Sequence, residues 1–64
     1  MLENELKEYR INHNLTQKQM AKKLRTSQSY YSAIEKGRLK PGFVLINRIG
    51  RVLKKDVSEI RNLL

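Results

Sequence analysis

Residues Leu15 to Gly37, LTQKQMAKKLRTSQSYYSAIEKG, leave this chain few folds to choose from. Thr16 followed three residues later by Gln19 is a capping box, which opens one helix, and Ser27 is placed to cap a second. Gly37 then stops that second helix. Between these signals Met20, Ala21 and Leu24 fall on one face at helical spacing, and Tyr31 and Ile34 do the same further on. The stretch therefore predicts two short helices joined by a tight Arg25-Thr26 turn, each with an apolar side turned to a common core. Such a pair, here over residues 17–36, is a helix-turn-helix unit, the commonest device for presenting one helix to the major groove of DNA.

The remaining chain reads as scaffold for this unit. A first helix runs from Glu3 to about His13, with Leu2, Leu6 and Tyr9 on its apolar side and Asn14 placed to end it, since Asn tolerates the left-handed conformation. The second runs from Gln17 to Leu24, with Lys18, Lys22 and Lys23 on its outer side. After the loop Gly37 to Gly42, Pro41 disfavours helix at Lys40, so a fourth helix begins only around Gly42 or Phe43. Its apolar positions Phe43, Ile46, Ile49 and Leu53 repeat at helical spacing, widened by Val44, Leu45 and Val52, and are assigned to the core. Gly50 costs about 1 kcal/mol relative to Ala in mid-helix, which points to a close helix contact there. Asp56 with Glu59 is a second capping box, opening a last helix striped by Val57, Ile60 and Leu64 and broadened by Leu63. No repeat, linker or low-complexity segment interrupts the pattern. The expected architecture is an all-α bundle of five short helices.

Charge adds direction to this frame. Of the formal net charge of +8, residues 1–9 contribute −2, residues 10–40 contribute +7 and residues 41–64 contribute +3. A basic excess centred on the two-helix unit suits a polyanion partner better than generic solubilisation, which would not cluster. The face of the third helix opposite Tyr31 and Ile34 carries Gln28, Ser29, Ser32 and Ala33. An exposed helical face usually holds Glu and Lys; these groups suit base edges instead, because Gln pairs with adenine, Ser donates or accepts, and an Ala methyl meets a thymine methyl. A neutral solvent face is the plain alternative. Arg10 lies at the edge of the first helix's apolar side, and Glu35, the only acid between residues 9 and 55, is its natural bidentate partner. From spacing alone, two solvated surface groups remain the commoner arrangement.

In order and spacing, Leu6, Arg10, Leu15-Thr16-Gln17, Ala21, Leu24, Ser27, Ile34-Glu35, Gly37-Arg38, Pro41, Ile49 and Leu53 resemble the lambda-repressor-like helix-turn-helix family, the Cro and phage-repressor (XRE) type. The likeness spans about residues 6 to 60. It implies a five-helix DNA-binding domain whose third helix enters the major groove, with Gln28, Ser29, Ser32 and Ala33 at base-facing positions. It implies a phosphate-contacting, supporting role for Gln17 and backbone contacts from Arg38 and Lys40, with Lys18 beside them and the free N–H groups at the start of the fourth helix on the same strand. It also implies that Arg10 and Glu35 form a buried salt bridge. Three positions depart from the family pattern. Arg25 stands where many members have Gly, so the turn either changes shape or holds Arg in an unfavourable conformation at a cost of order 1 kcal/mol, from which its guanidinium can reach phosphate. Tyr31 replaces Ile or Val and must find its hydroxyl a partner. Tyr30 is also bulky, and its ring is free to touch either a thymine methyl or a phosphate.

The expected function is a sequence-specific, double-stranded DNA-binding transcriptional regulator, a repressor working as a homodimer on a palindromic operator. Val52, Ile60, Leu63 and Leu64 exceed what a small five-helix core should absorb, and mark the expected dimer interface. An antitoxin or anti-repressor that binds a protein through helices 4 and 5 is the alternative from another class. A membrane-surface role for Lys40 to Lys55 competes with the core for the same residues. Sixty-four residues are expected to form one domain, and one so small buries only about 60% of its unfolded surface. With no cysteine, one histidine, no paired carboxylates and no Gly-rich phosphate loop, neither an enzyme nor a metal or other cofactor is expected, and no small-molecule ligand is evident. No leader or spanning segment is evident, so a cytoplasmic location is expected.

Overall fold

A computed structural model of residues Met1–Leu64 contains five helices and no strand: α1 (Leu2–Asn12), α2 (Gln17–Lys23), α3 (Gln28–Glu35), α4 (Phe43–Leu53) and α5 (Val57–Asn62). Each expected helix is present, with boundaries displaced by a residue or two where ends fray. The helices enclose one core, made of Leu2 and Leu6 from α1, Met20, Ala21 and Leu24 at α2, Tyr31 and Ile34 from α3, Leu45, Ile46 and Ile49 from α4, and Ile60 from α5.

Helix ends are set by local bonds. The Thr16 hydroxyl accepts the Gln19 N–H at 3.0 Å while the Gln19 side chain accepts the Thr16 N–H at 2.8 Å, so two otherwise unpaired donors at the start of α2 are satisfied together. Ser27 caps α3 by accepting the Tyr30 N–H at 3.2 Å, and the Asp56 N–H donates to Glu59 Oε1 at 3.1 Å at the start of α5. Three helices stop on a left-handed residue that is not glycine: Asn14 (φ 56°), Arg25 (φ 58°) and Lys54 (φ 57°). In each case the next residue's N–H reaches back five positions, Leu15 to the Arg10 carbonyl, Thr26 to Ala21 and Lys55 to Gly50, all at 2.9 Å. The residue after that caps the following helix. The chain has no sequence repeat, yet it turns the same four-residue corner three times. Only α3 stops on a glycine, Gly37 (φ 76°), with the Arg38 N–H on the Ala33 carbonyl at 2.9 Å.

The packing corrects four expectations. Ile60, assigned to a dimer interface, is 0% exposed and belongs to the core, because the α4–α5 corner folds α5 back onto α4. Val52, Leu63 and Leu64 are half-buried against that core, so the apolar excess expected at this end is largely absorbed. Phe43, assigned to the core, is 65% exposed, and its neighbour Val44 is 58% exposed. The buried stripe of α4 runs through Leu45, Ile46 and Ile49 instead, and only the first two residues of the helix precede it. The Arg61 guanidinium lies 5.7 Å from the Phe43 ring centroid. Finally, Gly50 is required by a turn rather than by a helix face: a Cβ there would sit 2.9 Å from the Lys55 carbonyl oxygen, which the corner brings over the helix.

Candidate nucleic-acid interface

The third helix presents the face expected of it. Gln28 and Ser29 are exposed, Ser32 and Ala33 half-exposed, while Tyr31 and Ile34 on the opposite side are buried. Lys18, Lys22, Arg25, Thr26 and Gln28 share one open depression at the α2–α3 corner. Neither α2 nor α3 carries an acid in its first turn, so nothing at that end opposes an anion. Beyond the other end of α3, Arg38 and Lys40 are exposed in the loop. The arrangement is a strip of short neutral groups with cations at both ends.

Arg25 holds a left-handed backbone, the more costly of the two options left by its sequence. The strain is offset by bonds that close the corner: Arg25 N–H to the Lys22 carbonyl at 3.0 Å, besides the Thr26 bond. Its side chain remains exposed on the cationic side.

Beneath the strip lies a polar anchor. Arg10 Nε donates to Glu35 Oε2 and Arg10 Nη2 to Glu35 Oε1, both at 2.9 Å, in a bidentate pair whose side chains are 16% and 4% exposed. Arg10 Nη1 also donates to the Leu15 carbonyl at 2.9 Å, which fastens the α1–α2 corner to the end of α3. Gln17 Nε2 approaches Glu35 Oε1 at 3.4 Å, so the residue that opens α2 is oriented by the same carboxylate. Burial pushes the Glu35 carboxyl up, but the bonds from Arg10 above all, with the dipole of the nearby Tyr31 hydroxyl and the Gln17 amide adding, outweigh burial and hold it below its ordinary value. Arg10 is raised in return, first by its bond to Glu35.

Tyr31 fits the core as a ring, but its hydroxyl, fully buried, closes no hydrogen bond of its own. It lies beside Glu35 without reaching bonding geometry. Burial first, and the Glu35 carboxylate second, push its ionisation well above that of a free tyrosine.

Tyr30 is half-buried. Its hydroxyl accepts the Gly42 N–H at 3.1 Å, tying the start of α3 to the start of α4, and its ring packs against the core. The residue that sequence reasoning missed is Arg48. From α4 its Nη1 donates to the Arg25 carbonyl at 3.0 Å and to the Leu24 carbonyl at 3.4 Å, across the α2–α3 corner. No periodicity or motif signals this contact, because an Arg on a helix edge is ordinary until the packing places a carbonyl beside it.

A family model described as helix-turn-helix matches residues 6–60 of the chain. The chain is also 41% identical over 59 residues to an uncharacterized HTH-type transcriptional regulator of Methanocaldococcus jannaschii, an alignment covering 92% of this chain and 89% of that relative. No solved structure matches it.

Proposed function

This chain belongs to the lambda-repressor-like, XRE-type helix-turn-helix family, and from that premise we propose that it is a homodimeric repressor that reads a palindromic operator in double-stranded DNA. Membership makes it a DNA-binding regulator rather than an enzyme. The observation that carries the finer reading is the exposed face of α3. Gln28, Ser29, Ser32 and Ala33 read base edges in the major groove, and Gln17, Lys18, Arg25, Arg38 and Lys40 hold the flanking phosphates. Tyr30 supports that face from behind.

Size supports a dimer. The longest axis of the fold is 26 Å, shorter than the one helical turn of about 34 Å that separates successive half-sites. One copy therefore covers one half-site, and two copies span a palindrome. The exposed side chains of Phe43 and Val44 replace Ile60 in the interface we propose, with Val52, Leu63 and Leu64 contributing only their outer edges. Bound across the operator, the dimer represses by excluding polymerase. No helix is long and apolar enough to cross a membrane, and a cysteine-free protein that works on DNA suits a reducing cytoplasm.

Selection of bound duplexes from a random pool tests this reading. A palindromic consensus with half-sites one turn apart, bound by two copies in light scattering, is the expected result. A strict monomer both free and on the selected DNA would remove the dimer, and the absence of any consensus would remove sequence-specific binding. The exposed Phe43 and Val44 also favour a second reading, an antitoxin or anti-repressor component, and a stoichiometric protein partner in a pull-down would put it first.

A further inference from the structure

We propose that Arg48 is a positioning residue for DNA recognition: from α4 it clamps the α2–α3 corner and so sets the pose in which α3 meets the bases. The inference rests on the DNA-binding reading above and adds to it a residue that is not among the proposed DNA contacts.

The carbonyls at the end of α2 need partners, as at any helix C-terminus, and the backbone of this corner supplies only some of them. Met20, Ala21 and Lys22 are served by the N–H groups of Leu24, Thr26 and Arg25. Past Lys23, the Leu24 and Arg25 carbonyls lie at the corner itself, and it is these that Arg48 Nη1 engages, at 3.4 and 3.0 Å. A guanidinium on the last carbonyls of a helix is a charge-assisted bond, stronger than a neutral one. It is also a long-range one. Arg48 is 23 residues from Arg25, so it fixes the corner relative to α4 and not merely its own shape.

A second anchor lies at the start of α4, where the Gly42 N–H donates to the Tyr30 hydroxyl at 3.1 Å. The start of α3 is thus held to α4 on two sides. Base contacts need placement to about 0.5 Å, whereas Lys and Arg side chains follow a phosphate over a wider range. Loosening the corner should therefore damage discrimination between sequences more than general affinity.

That asymmetry supplies the test, made on the full chain with the selected operator and a random duplex. Arg48→Met is expected to weaken operator binding about tenfold, the weight of one charge-assisted hydrogen bond, while random-duplex affinity and the salt slope stay unchanged. Arg48→Lys, whose ammonium reaches either carbonyl, should recover most of the operator-to-random ratio. A purely structural loss lowers the folded fraction, which reduces both affinities by one factor and leaves the ratio alone. An unchanged ratio in Arg48→Met overturns the proposal. So does a fall of about one in the salt slope, which would make Arg48 a phosphate contact. Where Arg48→Met does not stay folded, Arg48→Gln, too short for either carbonyl, is read by the same ratio. Hydrogen exchange without DNA keeps the two readings apart: Arg48→Met should speed exchange of the Thr26 amide about tenfold relative to amides of α1. Unchanged exchange there removes the clamp even if the wild-type protein selects an operator, whereas faster exchange in a protein that selects no DNA keeps the clamp and removes the regulator.

Discussion

The α2–α3 and α4–α5 corners share a backbone and differ in what surrounds it. Leu24-Arg25-Thr26-Ser27 and Leu53-Lys54-Lys55-Asp56 each place a basic residue in the left-handed region, return an N–H five positions, and cap the next helix with a small polar side chain. Around the first corner stand Lys18, Lys22 and Arg25, with Arg48 bonded to its carbonyls. Around the second, Arg51, Lys54 and Lys55 are balanced by Asp56 and Glu59, and Lys55 is engaged by Glu5 at 3.4 Å. Behind the second corner, Ile60 is sunk in the core. The same turn thus presents a helix in one place and closes a bundle in the other. What decides is the charge on its outer side and the apolar content of the helix that follows.

The largest effect should come from the anchor that ties the first corner's helices together. Arg10→Met is expected to destabilise by about 3 to 5 kcal/mol, because Glu35 is left 8% exposed and unpaired. The pH dependence has a definite sign. Glu35 has a depressed pKa when folded, so the pair's contribution is present above the ordinary carboxylate range and is lost as pH falls through the lower folded value. Burial without a partner raises the orphaned carboxyl's pKa in the variant, so the melting curves of wild type and variant should draw together in acid and converge once pH has fallen through the depressed Glu35 value of the wild type. A gap that persists in acid would show that the loss is one of packing.

Gly50→Ala strikes the second corner. Its Cβ would meet backbone oxygen at 2.9 Å, so a substitution that ordinarily favours a helix should here cost about 1 to 3 kcal/mol in chemical denaturation. A stabilised variant would mean the corner is looser than its bonds suggest.

On DNA the two regions should part further. Gln28→Ala should cost about 1 to 3 kcal/mol on the operator and relax preference at one base position, whereas Lys40→Ala should weaken all sequences and lower the salt slope by about one. Equal losses on operator and random DNA for both would unseat the assignment of the α3 face.

Smaller effects test the corners as a matched pair. Arg25→Gly and Lys54→Gly should each stabilise by about 1 kcal/mol or less, the relieved left-handed strain exceeding the entropy glycine adds to the unfolded chain. Only Arg25→Gly should also reduce DNA affinity in filter binding. If both reduce it equally, the second corner touches DNA and the contrast fails. Smallest of all, Tyr31→Phe should change stability by no more than about 1 kcal/mol in either direction, since it deletes a buried hydroxyl that closes no bond. A larger loss would reveal a partner for that hydroxyl in solution.

Much of this molecule could be read without coordinates. The capping boxes at Thr16 and Asp56, the Ser27 cap and the stops at Asn14 and Gly37 were visible because each is a local arrangement of neighbouring residues. The exposed Gln28-Ser29-Ser32-Ala33 face followed from helical periodicity against buried Tyr31 and Ile34. Phe43 and Ile60 were misplaced for one reason: periodicity finds an apolar stripe but not how far along a helix the core extends. The α4 stripe begins two residues later than its first apolar side chain, and α5 lies deeper than a count of apolar residues implied.

Helix identity, order and the polarity of each face are short-range properties, and the sequence by itself determined them, because their hydrogen bonds join residues three to five positions apart. Tertiary structure alone decided that Arg25 and Lys54 carry left-handed strain, that the Tyr30 hydroxyl bonds to the Gly42 N–H, and that Arg48 closes on the α2–α3 corner. Those outcomes depend on the angles at which helices cross. A crossing angle is settled by how all the buried side chains fit at once, and no single segment contains it.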